Sequence, residues 1–246
     1  MMDRRDFLAS ASAGAALFAA GPVVARASDK PAVGGSSNLA LAAFMDKYFE
    51  AEIDASPETA TGFGLDTGAR AALKSRLSIP TRAREEENRA RMRAARAELG
   101  KLDRASMGTQ DGIYYDTIAA NLDAVIRTYA IPYGQGGWPQ VYRVSQGNGA
   151  YLTTGDFLDN QHTIKTAADA EAYVSRVNDF ADVLSAETDR MLEDFGIGVI
   201  PPDFVLQKTI GLQTGMLGTK AAASTLVGSI VRRTGEQSIA GNWGPR

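Results

Sequence analysis

Residues 142–202 limit most strongly what this chain can become. A loop dense in Gly, Ser, Gln and Asn runs through Val144-Ser145-Gln146-Gly147-Asn148-Gly149. It gives way to Phe157-Leu158 and then to His162, the only histidine among 246 residues. Thr166 follows with Asp169 three positions later, the spacing in which a hydroxyl and a carboxylate cap a helix start. Tyr173, Val177, Phe180, Leu184, Met191 and Phe195 then recur along one stripe, so the pattern predicts a helix of about eight turns with one face in a core. Gly196 is placed as its C-terminal cap, ahead of Pro201-Pro202. A one-sided helix this long cannot bury its stripe alone, so the rest of the chain has to supply packing partners.

The flanking sequence supplies helices. Leu41, Phe44, Met45, Tyr48, Phe49 and Ile53 mark a first amphipathic helix, ending near Ser56 because Pro57 disfavours a helical conformation there. Pro57 opens a second short turn, after which Gly62, Gly64 and Gly68 break the pattern. Asp66 among those glycines reads as part of a plain turn, since the alternating carboxylates of a calcium loop are missing. Residues 80–104 are heavily charged, with Glu85/Arg89 and Glu87/Arg91 in the favourable i,i+4 order and a narrow stripe of Met92, Ala95, Leu99 and Leu102. Glu85-Glu86-Glu87 interrupt the arginines, so this is read as a solvated outer helix and not a basic recognition helix. Residues 109–129 form another, with Tyr114, Ile118, Leu122, Val125 and Tyr129 on its stripe and Asp116 and Asp123 as surface acids.

Downstream, Val205, Leu206, Ile210 and Leu217 follow Pro201-Pro202 in one helix, and Leu226, Val227, Ile230 and Val231 lie in a last one over 220–233. The expected fold class is therefore mainly α, with little or no β structure. One short extended segment is expected at 141–144. Gly134-Gln135-Gly136-Gly137 has the look of a phosphate cradle, but Trp138-Pro139 stand where a helix start would have to aim its N–H groups at the anion.

Composition removes several functional classes. The formal net charge of −3 argues against a nucleic-acid binder that depends on a basic surface. With no cysteine there is no disulfide, thiolate nucleophile or Cys-based metal site. Any catalytic triad or histidine zinc site would have to be built on His162.

The N-terminus reads as a targeting segment. Arg4-Arg5-Asp6-Phe7-Leu8 precedes a weakly apolar Ala- and Gly-rich stretch, and Ala25-Arg26-Ala27 offers a small-x-small cleavage site before Ser28. Twin arginines followed by x-Phe-Leu point to the twin-arginine export machinery as a partner. An ordinary secretory signal or an uncleaved anchor are the plainer readings, and the apolar run is short of the roughly 20 residues of a membrane span. Residues 1–27 are thus expected to be a signal peptide, 28–37 a flexible linker, and 38–246 a helical body. No later segment is apolar enough to span a membrane, so the mature chain is expected in the periplasm or outside the cell.

Several local texts occur together. They are Ser56-Pro57-Glu58-Thr59-Ala60-Thr61, Val144-Ser145-Gln146, Gly149-Ala150-Tyr151, Asp156-Phe157-Leu158-Asp159, Gln161-His162 and Ile164. Asp169-Ala170-Glu171-Ala172-Tyr173, Arg176, Gly198-Val199-Ile200-Pro201-Pro202 and Asp203-Phe204-Val205-Leu206 continue the series. Jointly spaced in this way, they resemble the bacterial family catalogued as domain of unknown function 885 (DUF885). The resemblance implies a predominantly helical protein more than twice this length and similar to zinc-dependent peptidases. It implies a His-Glu…Gly-His zinc helix in the C-terminal half. Nothing here matches that helix, since His162 is followed by Thr163. The resemblance therefore transfers no catalytic residue, cofactor-binding residue or metal ligand to this chain, and zinc is implied for a full-length relative only.

Residues that could touch a peptide substrate are Tyr142, Gln146 and His162, with 142–149 as an edge beside which an extended peptide aligns. The other reading has Gln146 and His162 hydrogen-bonding the loop to the capped helix, the more usual role of such groups. Three functions stay open. The first is an N-terminal portion of an exported zinc-peptidase-like protein, inactive without its missing C-terminal half. The second is a non-enzymatic periplasmic helical protein binding peptides or a partner. The third is a remnant of a split gene.

Overall fold

The computed structural model describes residues 38–137 and 140–244. The expected leader residues Arg4, Arg5, Ala25 and Ala27, and the linker 28–37, lie outside them. The described residues form α-helices joined by short 3-10 helices and turns, with no strand among them. The mainly α expectation holds, and it holds more completely than expected. In place of an extended segment at 141–144 there are only two isolated antiparallel bridges nearby, Gln135 with Gln140 and Ser145 with Asn148. Bends at Val141, Arg143 and Val144 prevent a ladder from forming.

Two compact units emerge, one holding residues up to 51 with 89–127, the other 52–88 with 128 onward. Within the first, helix α1 (Leu39–Ala55) begins at Asn38, whose side-chain oxygen accepts from the Leu41 N–H at 3.0 Å. It buries Leu41, Phe44, Met45 and Phe49. Met92 and Leu99 of α3 (Arg82–Leu99) and Ile118 and Leu122 of α4 (Thr109–Thr128) are buried too, as their stripes require. Asp116 and Asp123 are surface acids paired with Arg104 and Arg96.

The second unit carries the 142–202 stretch. Helix α2 (Pro57–Gly62) is capped by Ser56 and starts with proline, whose fixed φ suits a first turn. A 3-10 helix follows at Gly68–Ser75. The loop-rich segment ends at Gly149, and a helix that the sequence pattern does not mark, α5 (Ala150–Asn160), starts directly after it. Its N-cap residue Gly149 has no side chain, and the Ala150 N–H is received from afar by the Glu187 carboxylate at 3.0 Å, so the usual sequence sign of a helix start is missing. Helix α6 (Ala167–Gly196) has the expected capping box, with Thr166 Oγ1 accepting from Asp169 N–H and Asp169 accepting from Thr166 N–H.

The stop of α6 differs from expectation. The Val199 N–H reaches the Asp194 carbonyl at 3.0 Å, and the Gly198 N–H reaches that of Phe195 at 2.9 Å, a Schellman arrangement. The residue that must turn left-handed is therefore Gly198, at φ +85°, and not Gly196, which lies inside the last turn. Helices α7 (Asp203–Leu217) and α8 (Thr225–Glu236) follow. Leu77, Phe157, Leu158, Ile164, Tyr173, Phe180, Val183 and Ile230 form the core of this unit, drawn from α5, α6, the connection between them, α8 and the segment after the 3-10 helix. Among the described residues, no helix is long and apolar enough to cross a membrane.

Candidate functional site

Two buried arginine centres organise the second unit. The first is built on Arg176, which sits on the same face of α6 as Tyr173 and Phe180 and is fully buried. Its Nε donates to the Arg76 carbonyl at 2.9 Å. One terminal nitrogen donates to His162 Nδ1 at 2.8 Å, and the other to Thr61 Oγ1 at 2.7 Å and to the carbonyls of Leu73 and Pro57. The guanidinium also lies 4.9 Å from the centre of the Phe157 ring. Among the described residues, no carboxylate touches it. Thr61 passes the interaction on, donating to the buried Asp66 at 2.7 Å, and Glu58 and Asp179 contribute negative charge nearby. Asp66 is thus more than a plain turn residue.

This arrangement fixes the state of His162. A guanidinium can only donate, so Nδ1 accepts, and Nε2 carries the proton and donates to the Asp169 carbonyl at 2.9 Å. The ring meets Tyr173 edge-on with centroids 5.4 Å apart. Burial pulls its pKa down to about 4, and the charges of Arg176, Lys74 and Arg233 push the same way against the Asp169 hydrogen bond. His162 is therefore neutral at neutral pH, with both ring nitrogens occupied.

The second centre lies at the other end of α6. Asp194, almost wholly buried, accepts from the Gly134 N–H and from Arg143 Nε, each at 3.0 Å. Arg143 continues to Glu85 at 2.7 Å, and Glu85 accepts from Arg190 at the same distance. Glu193 closes the chain by pairing with both Arg190 and Arg82. Gly134, at φ +70°, permits the contact with Asp194. A Cβ there would sit 2.0 Å from the Gln140 carbonyl oxygen. Glu85 is thus no solvated charge, though the rest of the outward face of α3 is exposed as expected. Beside this centre lies a shallow pocket of about 190 Å³ counted to its open mouth, lined by Tyr142, Arg143, Met191, Asp194, Phe195 and Val199 among others.

The three substrate-contact candidates occupy different settings. Tyr142 is half-buried and lines this pocket, with its carbonyl accepting from the Asn148 side chain. Gln146 is exposed at the loop tip. His162 is sealed in the interior, where both ring nitrogens contact α6, at the Asp169 carbonyl and the Arg176 guanidinium. Sequence reasoning did not single out Arg143, Arg190 and Asp194, and it met Arg176 only as a family residue. The available signal was a charge inside an apolar period. Arg176 interrupts the Tyr173–Phe180 stripe, and Val183, Arg190 and Asp194 recur at i, i+7 and i+11.

The residues present do not fit a zinc ion. The one imidazole faces a guanidinium, and among the described residues no three His, Cys, Asp or Glu side chains are placed to hold a metal.

The second unit is thus a helical scaffold, keyed by two internal arginine centres, with a shallow pocket beside the second of them. The chain belongs to the family described as a bacterial protein of unknown function (DUF885), which it matches over residues 57–242. The match begins at Pro57, whose carbonyl receives Arg176. No curated protein and no solved structure matches the chain.

Proposed function

We propose that this chain is the N-terminal helical part of an exported protein similar to zinc-dependent peptidases, serving there as scaffold. In this reading the metal ligands and general base belong to polypeptide beyond residue 246. The observation that carries it is the commitment of His162: both ring nitrogens are used inside the fold, and the sequence has no cysteine and no second imidazole. The resemblance to the family, where a His-Glu…Gly-His helix supplies those groups, supports the same division of labour. Zinc content and peptide hydrolysis of the purified chain test it, alone and mixed with a polypeptide bearing such a helix. No turnover is expected from the chain alone, and turnover is expected from the mixture. One equivalent of zinc with chelator-sensitive hydrolysis by the chain alone overturns it.

A second reading, a non-enzymatic periplasmic protein that binds peptides or a partner, is favoured by the pocket beside Tyr142. Saturable peptide binding without hydrolysis in the mixture decides for that one. For export, Arg4→Lys with Arg5→Lys is expected to leave the protein in the cytoplasm. Continued export of that variant sinks the twin-arginine assignment.

A further inference from the structure

The pocket beside the second arginine centre is lined by a carboxylate with one oxygen that the fold does not use. Asp194 is almost wholly buried, and its Oδ2 receives both the Gly134 N–H and Arg143 Nε at 3.0 Å. Its Oδ1 is buried as well and receives no donor among the described residues. Of the side chains that line the pocket, only Asp194 keeps such an unpaired buried atom. A buried acceptor without a donor is costly, and more so when it carries charge. The rest of the lining is mostly apolar and includes Val144, Met191, Phe195 and Val199.

Charge and size narrow what can answer that oxygen. An anion is repelled by it. A second cation would sit beside Arg143, where cations already oppose one another. Burial first, and then the charge of Arg143, hold the Arg190 pKa below its ordinary value. A neutral donor is left. An amide would add a carbonyl that an apolar lining leaves unpaired, whereas a hydroxyl brings its donor alone and makes the short, charge-assisted kind of bond to a carboxylate. The volume of about 190 Å³, counted to the open mouth, is the share of roughly six waters, so one small group enters and a length of backbone does not. A phenol meets each condition, with a ring suited to Met191 and Phe195.

We propose that this pocket binds one phenol-type ring, its hydroxyl donating to Asp194 Oδ1 and its ring lying against the apolar lining. The natural source is the side chain of a tyrosine in a bound peptide, and for that source alone the assignment rests on the peptide-binding reading.

Titration of the purified chain with phenol at pH 7, followed by protein NMR, tests the site, with toluene as a ring of the same size that lacks the donor. Phenol is expected to bind saturably with a Kd on the order of 1 mM, as suits so small a ligand. Toluene is expected to bind about tenfold more weakly or worse. Val199→Phe, which fills the pocket without touching a charge, is expected to abolish phenol binding in a chain whose denaturation curve shows it folded. No saturable phenol binding by the wild-type chain overturns the proposal. So does toluene binding as tightly as phenol, n-butylammonium binding more tightly, or phenol binding that Val199→Phe leaves unchanged. A tyrosine tripeptide and its phenylalanine counterpart separate the two readings. A chain that binds phenol but neither peptide keeps the site and loses the peptide reading. One that binds both peptides equally and no phenol keeps the peptide reading and loses the site.

Discussion

The two arginine centres of the second unit hold their charges in opposite ways. Arg176 is surrounded by neutral acceptors in fixed positions, three backbone carbonyls, a hydroxyl and an imidazole, with the balancing carboxylates held at a distance. Arg143 and Arg190 meet carboxylates directly, in an alternating chain through Glu85, Glu193 and Asp194. Neutral acceptors cannot shift without leaving a buried cation exposed to an apolar interior, so the first centre behaves as a keystone. An ion-pair chain can lose one member and redistribute, so the second is more tolerant and sits where the surface opens into a pocket. The difference teaches that burial alone does not mark a functional site. How many fixed partners would be orphaned matters more.

Removing Arg176 is the severest way to break that comparison. Arg176→Met leaves His162 Nδ1, Thr61 Oγ1 and the carbonyls of Arg76, Leu73 and Pro57 without their donor. Orphaned buried acceptors and a broken buried network should cost about 4 kcal/mol, a large share of a domain's total stability. Urea unfolding checks it. A midpoint close to wild type would mean that the centre is not a keystone.

Acid should find the same centre. His162 has its ordinary pKa of 6.5 when unfolded and about 4 when folded. As pH falls through this window the unfolded chain takes up a proton that the folded one refuses. The contribution is whole above pH 6.5 and lost by about pH 4, a total of about 3 kcal/mol. Burial raises the pKa of Glu187, which works in the opposite sense. The diagnostic is therefore the difference in slope between wild type and His162→Gln, measured by denaturant titration from pH 7.5 to 4. Parallel slopes would contradict a sealed, neutral imidazole.

These sites also show what sequence makes legible. The Thr166–Asp169 box and most of the α6 stripe were readable because both are local, set by neighbours three or four positions apart, although Leu184 is exposed and Val183 is the residue buried there. The family texts were readable as well, and the structure gives them physical content. Ser56 caps α2, the Pro57 carbonyl and Thr61 receive Arg176, and Tyr151 donates to the Ser145 carbonyl. What stayed hidden depends on long-range partners. Nothing near Glu85 in the chain says that Arg143 and Arg190 will bury it, and nothing near Arg176 announces acceptors from 100 or more positions upstream. Helix α5 stayed hidden for the opposite reason, because Gly149 leaves no side-chain cap to read.

The tolerant centre should respond more mildly. Asp194→Asn removes the charge that meets Arg143, yet Arg143 keeps Glu85 and the amide oxygen can still receive the Gly134 N–H. A charge-assisted hydrogen bond is worth about 2 kcal/mol, and the loss should appear first as faster hydrogen exchange at Gly134. A loss as large as that for Arg176→Met would erase the distinction between the two centres.

The smallest expected effect sharpens the link between local capping and the buried lock. Thr166→Ala deletes the hydroxyl that receives the Asp169 N–H, while the Asp169 carboxylate keeps the N–H groups of Lys165 and Thr166 and its pairing with Lys74. Half of the box survives, so the loss should be about 1 kcal/mol. The Asp169 carbonyl in that first turn is the acceptor for His162 Nε2. If the turn frays, water reaches the imidazole, and relief of its burial outweighs the loss of the Asp169 acceptor, so its folded pKa moves back toward 6.5 and the acid slope becomes shallower along with the stability loss. A Thr166→Ala chain that is about 1 kcal/mol weaker but keeps the full slope would show that packing of Tyr173 and Phe180, and not the cap, holds the first turn against His162.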